Sequence, residues 1–247
     1  MTETTFTPPT RFAVPGRIEV GRQTAAAWQR AVITEIRRET PRTSTFRFAV
    51  PGWQGHLPGQ HLILRLTAED GYTAQRHYSL ASPPDDTGHI ELTLDHVDGG
   101  EVSGHLHAVA RVGDTVEVRG PLSGFFAWPG DRPALLIGAG SGVVPLMSML
   151  RHHRLRRLAV PLRLFVSART GEELIYADEY REETTPVLTR EGERRRLAAD
   201  HLAPCFTRGA PAWEAYVCGS NAFAEHASRL LVDLGQPVER IRIERFG

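Results

Sequence analysis

Residues 134–150 read ALLIGAGSGVVPLMSML, and the reading of this stretch decides the fold. The apolar run 134–137 has the character of a buried strand, and Gly138-Ala139-Gly140 turns the chain at its end. A dinucleotide fingerprint G-x-G-x-x-G would place its third glycine at position 143, where the chain has Val143. The pattern present is Gly138-x-Gly140-x-Gly142-x-x-Pro145, with Ser141 inside the turn. Glycines let a backbone approach a pyrophosphate, and the helix that follows offers free N–H groups and a positive dipole end. Pro145 suits the first turn of that helix, where no N–H is needed. Val143 argues against tight helix packing of the dinucleotide kind, not against a nucleotide. Taken alone, an ordinary strand-to-helix turn explains the glycines equally well. A membrane span is the third reading; the stretch is about long enough, but Gly, Ser and Pro break its centre.

Toward the C-terminus the pattern alternates between strand and helix. LRLFVSA (162–168), PVLTR (186–190), EAYVCG (214–219) and RIRIERF (240–246) read as strands. The segment from Pro145 to about Arg157 reads as a helix, as do TGEELIYADEY (170–180), RRRLAADHLA (194–203) and SNAFAEHASRLLVDLG (220–235). Thr170 with Glu173 forms a capping-box signature, and Ser220 is placed as an N-cap. This alternation predicts an α/β domain with a five-stranded parallel sheet, the helices on both faces.

Toward the N-terminus the segments are short, β-branched and partly alternating: AVITEIRRET, TSTFRFAV, QHLILRLT, RHYSLAS, HIELTLDHV and DTVEVRG, between residues 31 and 120. Turn signals at PGWQG, EDG, PPDDTG and VGD separate them, and GGEVSGHLHAVA (99–110) fits one helical insert. They predict a six-stranded antiparallel β-barrel. Residues 1–27 are polar and proline-spotted and read as a loose N-terminal arm. The division expected is therefore an arm at 1–27, a barrel domain at 28–128 and an α/β domain at 129–247.

Composition removes several classes of function. Formal net charge is zero, where a general nucleic-acid binder would carry a basic excess. All 29 cationic side chains are arginine, so neither a Schiff-base lysine nor a P-loop lysine is available. Two cysteines are too few for a disulfide scaffold or for a [2Fe–2S] site with its four thiolates. HLH at 105–107 lacks a third ligand at convincing spacing, so no metal is expected. The N-terminus carries no secretory pattern, and a cytoplasmic, reducing location is expected by default.

RHYS at 76–79 adds chemistry. Alternation puts Arg76 and Tyr78 on one face of a strand, where a guanidinium can pair with phosphate and a phenol ring can cover a flavin. A half-buried strand with a surface arginine is the plainer account of the tetrapeptide by itself. GGEVS at 99–103 is a second small-residue turn opening a helix, again suited to pyrophosphate. EAYVCG ends at Cys218 on the same carboxyl edge as the glycine turn, although a small buried thiol is the simpler reading.

In their order these pieces resemble the ferredoxin–NADP reductase superfamily, especially its bacterial oxygenase-reductase members, without a [2Fe–2S] domain. The resemblance runs from about Arg30 to the C-terminus. It rests on Arg76-His77-Tyr78-Ser79, Gly100-Glu101-Val102-Ser103, GPLSGFF, the glycine turn, Val217-Cys218-Gly219 and the terminal Glu244-Arg245-Phe246. It implies an FAD-binding barrel and an NAD(P)-binding domain, with hydride passing from nicotinamide to flavin between them. Arg76 would meet the FAD pyrophosphate, Tyr78 would stack on the isoalloxazine and Ser79 would hydrogen-bond near N5. His77, His96 and Val97 would join them, and the 100–103 turn would hold the pyrophosphate from the other side. Cys218 and Gly219 would flank the nicotinamide, while Glu244 and Phe246 would close the site.

The second strand of the α/β domain closes as Ser167-Ala168-Arg169, with no acid before Glu172 to take a ribose 2′-hydroxyl. Arg169, or Arg190 after PVLT, suits a 2′-phosphate, which leans the reading to NADPH over NADH. The expected function is an FAD-dependent NAD(P)H oxidoreductase passing electrons to a separate acceptor, a ferredoxin or an oxygenase or molybdenum-oxidase partner. A flavin or ferric reductase with a small diffusible acceptor and a non-catalytic flavin-binding regulatory subunit are the rivals. FMN in place of FAD stays open, as does the oligomeric state, with a monomer slightly favoured.

Overall fold

Strands dominate the first half of the chain because its β-branched and aromatic residues alternate with polar ones. The computed structural model describes residues 27–84, 88–192 and 194–246. The proposed arm lies, but for Ala27, outside the described residues. Strands β1 (Gln29–Arg38), β2 (Thr43–Ala49), β3 (His61–Thr67), β4 (Thr73–Ser79), β5 (His89–Asp95) and β6 (Thr115–Leu122) form one sheet in the order β4-β3-β6-β1-β2-β5. All neighbouring pairs are antiparallel. The two end strands meet through a single bridge, Leu80 with Leu92, so the sheet curls into a nearly closed barrel. Its interior is filled by Phe46, Phe48, Leu62, Leu64, Ile90 and Leu92, all fully buried. Helix α1 (Glu101–Ala108) lies between β5 and β6, with Val102 and Leu106 turned inward.

The second sheet follows from Ala134 onward. Strands β7 (Ala134–Ala139), β8 (Leu162–Ala168), β9 (Thr184–Leu188), β10 (Glu214–Gly219) and β11 (Ile241–Arg245) are parallel, in the order β11-β10-β7-β8-β9. Helix α2 (Val143–Leu155) packs with the barrel side of this sheet. Helices α3 (Ala199–Leu202) and α4 (Asn221–Asp233) cover the other face, where Leu202, Ala224, Ala227 and Leu231 join one cluster. Ser220 caps α4, its hydroxyl accepting from Phe223 N at 3.4 Å. Pro145 sits in the first turn of α2, as its missing N–H allows.

Two expected helices are replaced. Residues 170–180 form two short 3₁₀ turns, Gly171–Glu173 and Ala177–Glu179, and the Thr170 side chain makes no cap bond. Tyr176 interrupts them in the left-handed region at φ 64°, because its ring is drawn inward beneath the Arg151 guanidinium and its hydroxyl donates to Thr93. Of 194–203, only the single turn of α3 is α-helical.

Helix α2 also fastens the two sheets together. Ser148 Oγ donates to Ser82 O at 2.7 Å, and Arg151 donates to Ala81 O at 2.9 Å and to Glu91 at 3.0 Å. Glu179 and Arg47 extend this ion-pair network on either side. Truncating one member of a buried pair leaves the other unpaired, at a cost of about 3–5 kcal/mol.

Candidate functional site

The switch in strand order falls between β7 and β10, and open α/β sheets bind ligands at such a point, beyond the carboxyl ends of the strands. The glycine turn 138–142 lies there. Gly140 takes φ 54°, a conformation that favours glycine. Gly138 and Gly142 serve packing: a Cβ on Gly138 would come within 3.1 Å of Val143 Cα, and one on Gly142 within 2.3 Å of Cys218 O. The close helix packing that Val143 argued against is therefore present, supplied by two other glycines.

Two hollows open at this edge. The first, about 470 Å³, runs between barrel and α/β sheet, lined by Arg76, His77, Tyr78, Ser79, the 97–103 turn, Ser141, Val144 and Phe246. The second, about 840 Å³, is lined by His96, Val97, Gly140, Ser167, Arg169 and Thr189, with Thr40–Thr43 on the barrel side. Asp95, Val97 and Asp98 border both. A larger groove of about 1010 Å³ lies at the opposite edge of the sheet, between Leu158–Arg163 and Pro204–Trp213, and contains none of the motif residues.

In the first hollow, Tyr78 is half-buried and burial pushes its hydroxyl up to about 12, so the ring is neutral and presents an apolar face. Ser79 is buried, and its Oγ has no hydrogen-bond partner. Arg76 is exposed; its Nη2 stands 3.5 Å from Glu101 Oε2, and Glu101 also accepts from the Tyr72 hydroxyl at 2.6 Å. Gly100 precedes α1 without a side-chain cap, and a Cβ there would meet Ser103 Oγ at 2.5 Å and Val97 O at 3.0 Å. An orphaned buried hydroxyl, a hollow lined by the aromatic rings of Tyr78 and Phe246, and an arginine beside a helix N-terminus together fit a flavin with its phosphates.

Cys218 lies deeper than the sequence suggested. It pairs in register with Gly138 on one side and Glu244 on the other, is fully buried and lines neither hollow. Burial, reinforced by Glu244, pushes its thiol well above the ordinary range, so it is a neutral S–H. Glu244 is itself pushed up to about 7 by burial, with Oε2 unpartnered and Oε1 3.8 Å from His61 Nδ1. The 3.8 Å separation is too long for a hydrogen bond. Burial also lowers His61, so near neutral pH the two are not an ion pair. Phe246 N donates to Gly219 O at 3.0 Å, which continues β11 toward the first hollow.

In the second hollow, Arg169 is exposed and held by Glu173 at 2.6 Å. Arg190 lines neither hollow, although its backbone N donates to Arg169 O at 2.8 Å. Sequence reasoning missed His61, Thr93 and Asp95. Only the antiparallel register, which sets His61 opposite Ser79, would have found the first. Among the described residues no group of three or more His, Cys, Asp or Glu is placed to hold a metal ion, and no helix is long and apolar enough to cross a membrane.

Comparison with known proteins gives the context. A family model described as an oxidoreductase FAD-binding domain matches residues 30–127. The ferredoxin reductase component of the 3-ketosteroid-9-alpha-monooxygenase of Rhodococcus rhodochrous is 30% identical over 227 residues, covering 87% of this chain and 64% of that protein. This chain thus spans less than two thirds of that relative's length. Ferredoxin–NADP reductase B of Sorangium cellulosum is 32% identical over 209 residues, 76% of this chain and 84% of that protein. The fold matches the crystal structure of a ferredoxin NADP⁺ reductase from Neisseria gonorrhoeae with bound FAD and NADP, at TM-score 0.74 and 22% identity, over 88% of this chain and 98% of that one. A curled antiparallel sheet, a parallel sheet and the hollow between them lead to the same place as these likenesses: the chain belongs to the ferredoxin–NADP reductase family of FAD-binding oxidoreductases.

Proposed function

We propose that this chain is an NAD(P)H-dependent flavoprotein reductase, in which residues 28–128 hold FAD, residues 129–247 hold the nicotinamide nucleotide, and electrons leave to a separate one-electron protein carrier. The observation that carries the reading is the pair of hollows meeting at Asp95–Asp98, one opening on an orphaned Ser79 hydroxyl and the other on the glycine turn. Bound FAD would supply the step between a two-electron hydride donor and a one-electron acceptor.

The residues then divide the work. Tyr78 and Phe246 exclude water from the two faces of a planar ring system. Ser79 Oγ donates its unused hydrogen bond to a ring nitrogen. Arg76 turns from Glu101 to the negative charge of a pyrophosphate, which the 100–103 turn meets with backbone N–H groups. Gly140 and Ser141 take the second pyrophosphate, and Arg169, released from Glu173, takes a 2′-phosphate in preference to a hydroxyl. The acceptor is a ferredoxin or the oxygenase component of a multi-part system, a reading supported by the Rhodococcus relative, which is named as such a component. Both thiols are free, in keeping with a reducing cytoplasm.

Anaerobic titration of the yellow protein tests this. NADPH should bleach it at lower concentration than NADH, and a ferredoxin should then restore the colour faster than free flavin or a ferric chelate does. A yellow protein inert to both nucleotides would overturn the proposal and leave a flavin-binding subunit.

A further inference from the structure

The parallel sheet has a second edge, at the amino ends of its strands, and the groove of about 1010 Å³ runs along it. Its walls are the turn between α2 and β8, the residues leading into β9, and the stretch 204–213 leading into β10. Five arginines line it: Arg154, Arg157, Arg163, Arg181 and Arg208. Only two acids, Glu182 and Glu183, stand against them, and Glu183 is already taken by Arg154 in an ion pair. The other four arginines are exposed, and none has an acidic partner among the described residues. Between them the surface is apolar. Leu158, Val160 and Pro211 are half-buried there, and the buried ring of Trp213 lies beneath.

Helix-dipole compensation explains part of this set. Arg154 and Arg157 lie at the C-terminal end of α2 and just past it, where cations are favoured. It does not reach Arg163 in β8, Arg181 before β9 or Arg208 before β10, which come from three separate segments. The chain as a whole carries no net charge, so the positive excess is local. Like charges gathered in a concavity repel one another and focus their field outward into it. Such a place is built to be filled by negative charge.

We propose that this groove docks an extended, acidic segment of a partner protein, its carboxylates meeting Arg157, Arg163, Arg181 and Arg208 and its apolar side chains resting on Leu158, Val160 and Pro211. The inference goes beyond the reductase reading and does not depend on it. A guanidinium presents paired N–H groups that match the two oxygens of a carboxylate. One small anion would engage one or two of these arginines, whereas the groove has room for several carboxylates at once. Walls on both sides do not seat a flat lipid surface, and zero net charge weighs against nucleic acid. The seven residues of β8, at about 3.3 Å each, put this edge roughly 20 Å from the carboxyl edge of the sheet. A partner held here therefore leaves both hollows open.

The test uses the full-length, flavin-loaded protein and a rhodamine-labelled peptide of glutamates interrupted by leucines, read by fluorescence anisotropy. The peptide should bind, and Arg163→Glu combined with Arg208→Glu should weaken it about 10-fold or more. Arg229→Glu, on the exposed face of α4, should leave binding within about two-fold. High salt should loosen the peptide, and serines in place of its leucines should weaken it several-fold. NADPH should not displace it; displacement would put the peptide in the second hollow and overturn the groove. No binding to the native protein, or an equal loss in Arg229→Glu, would overturn the docking site. Inorganic tripolyphosphate bound as tightly as the peptide, and lost in the same double variant, would make the groove a small-anion site instead. Thermal melts show whether the double variant is folded. If it is not, Arg163→Gln combined with Arg208→Gln is read in its place.

Discussion

Gly142 and the carbonyl of Cys218 are packed so closely that a Cβ on the glycine would lie 2.3 Å from the carbonyl oxygen and 2.6 Å from its carbon. Neither atom can yield without moving the end of β10. Gly142→Ala should therefore lower stability by about 1–3 kcal/mol and weaken nicotinamide nucleotide binding. Thermal melts and equilibrium titration would read both, and an unchanged melt would mean the turn is free to relax.

Ser79 carries a hydroxyl that the ligand-free fold does not use. Ser79→Ala should leave the ligand-free protein as stable as before, or more stable by up to about 1 kcal/mol. The same change should slow bleaching by NADPH about 10-fold or more. Opposite signs in the two measurements distinguish a ligand-facing hydroxyl from a structural one, for which both would fall.

Glu244 sets a pH dependence. Its carboxyl sits near the ordinary 4.5 when unfolded and at about 7 when folded, so the folded state holds the proton more tightly. The stabilisation that follows is complete below pH 4.5 and lost as pH rises through 7, a change of about 3 kcal/mol. Glu244→Gln stays neutral throughout. Relative to the native side chain it should gain several degrees in Tm at pH 8 and almost none at pH 4.5, checked by melts on ligand-free protein.

Arg169 offers the clearest control of nucleotide choice. Arg169→Ala should raise the KM for NADPH about 10- to 100-fold, the value of a lost charge-assisted pair, and leave the KM for NADH within about two-fold. Equal effects on both would move the 2′-phosphate contact to Arg190 or remove it altogether.

The architecture was legible because both periodicities in the chain are strong. Alternation in TSTFRFAV and HIELTLDHV gave barrel strands, and apolar runs such as ALLIGA gave central parallel strands. The helix expected at 170–180 failed for a tertiary reason: Tyr176 is worth more under Arg151 and against Thr93 than on a helix surface, and its left-handed backbone breaks the helix. Arg76, Tyr78, Ser79 and Gly140 stand at the hollows where the motifs put them, Cys218 and Arg190 do not, and the pairings were not legible. Glu101 answering Arg76, Glu173 answering Arg169 and Glu244 reaching His61 all depend on register and side-chain direction across elements.

The short stretch from Asp95 to Asp98 runs along both hollows, with Asp95, Val97 and Asp98 lining each. A guest that shifts this shared stretch on one side changes the grip on the other, and by linkage the reverse effect is equal in size. Stripped of its flavin, the protein should hold a nicotinamide nucleotide with an altered affinity, changed by the same factor by which the nucleotide alters flavin binding.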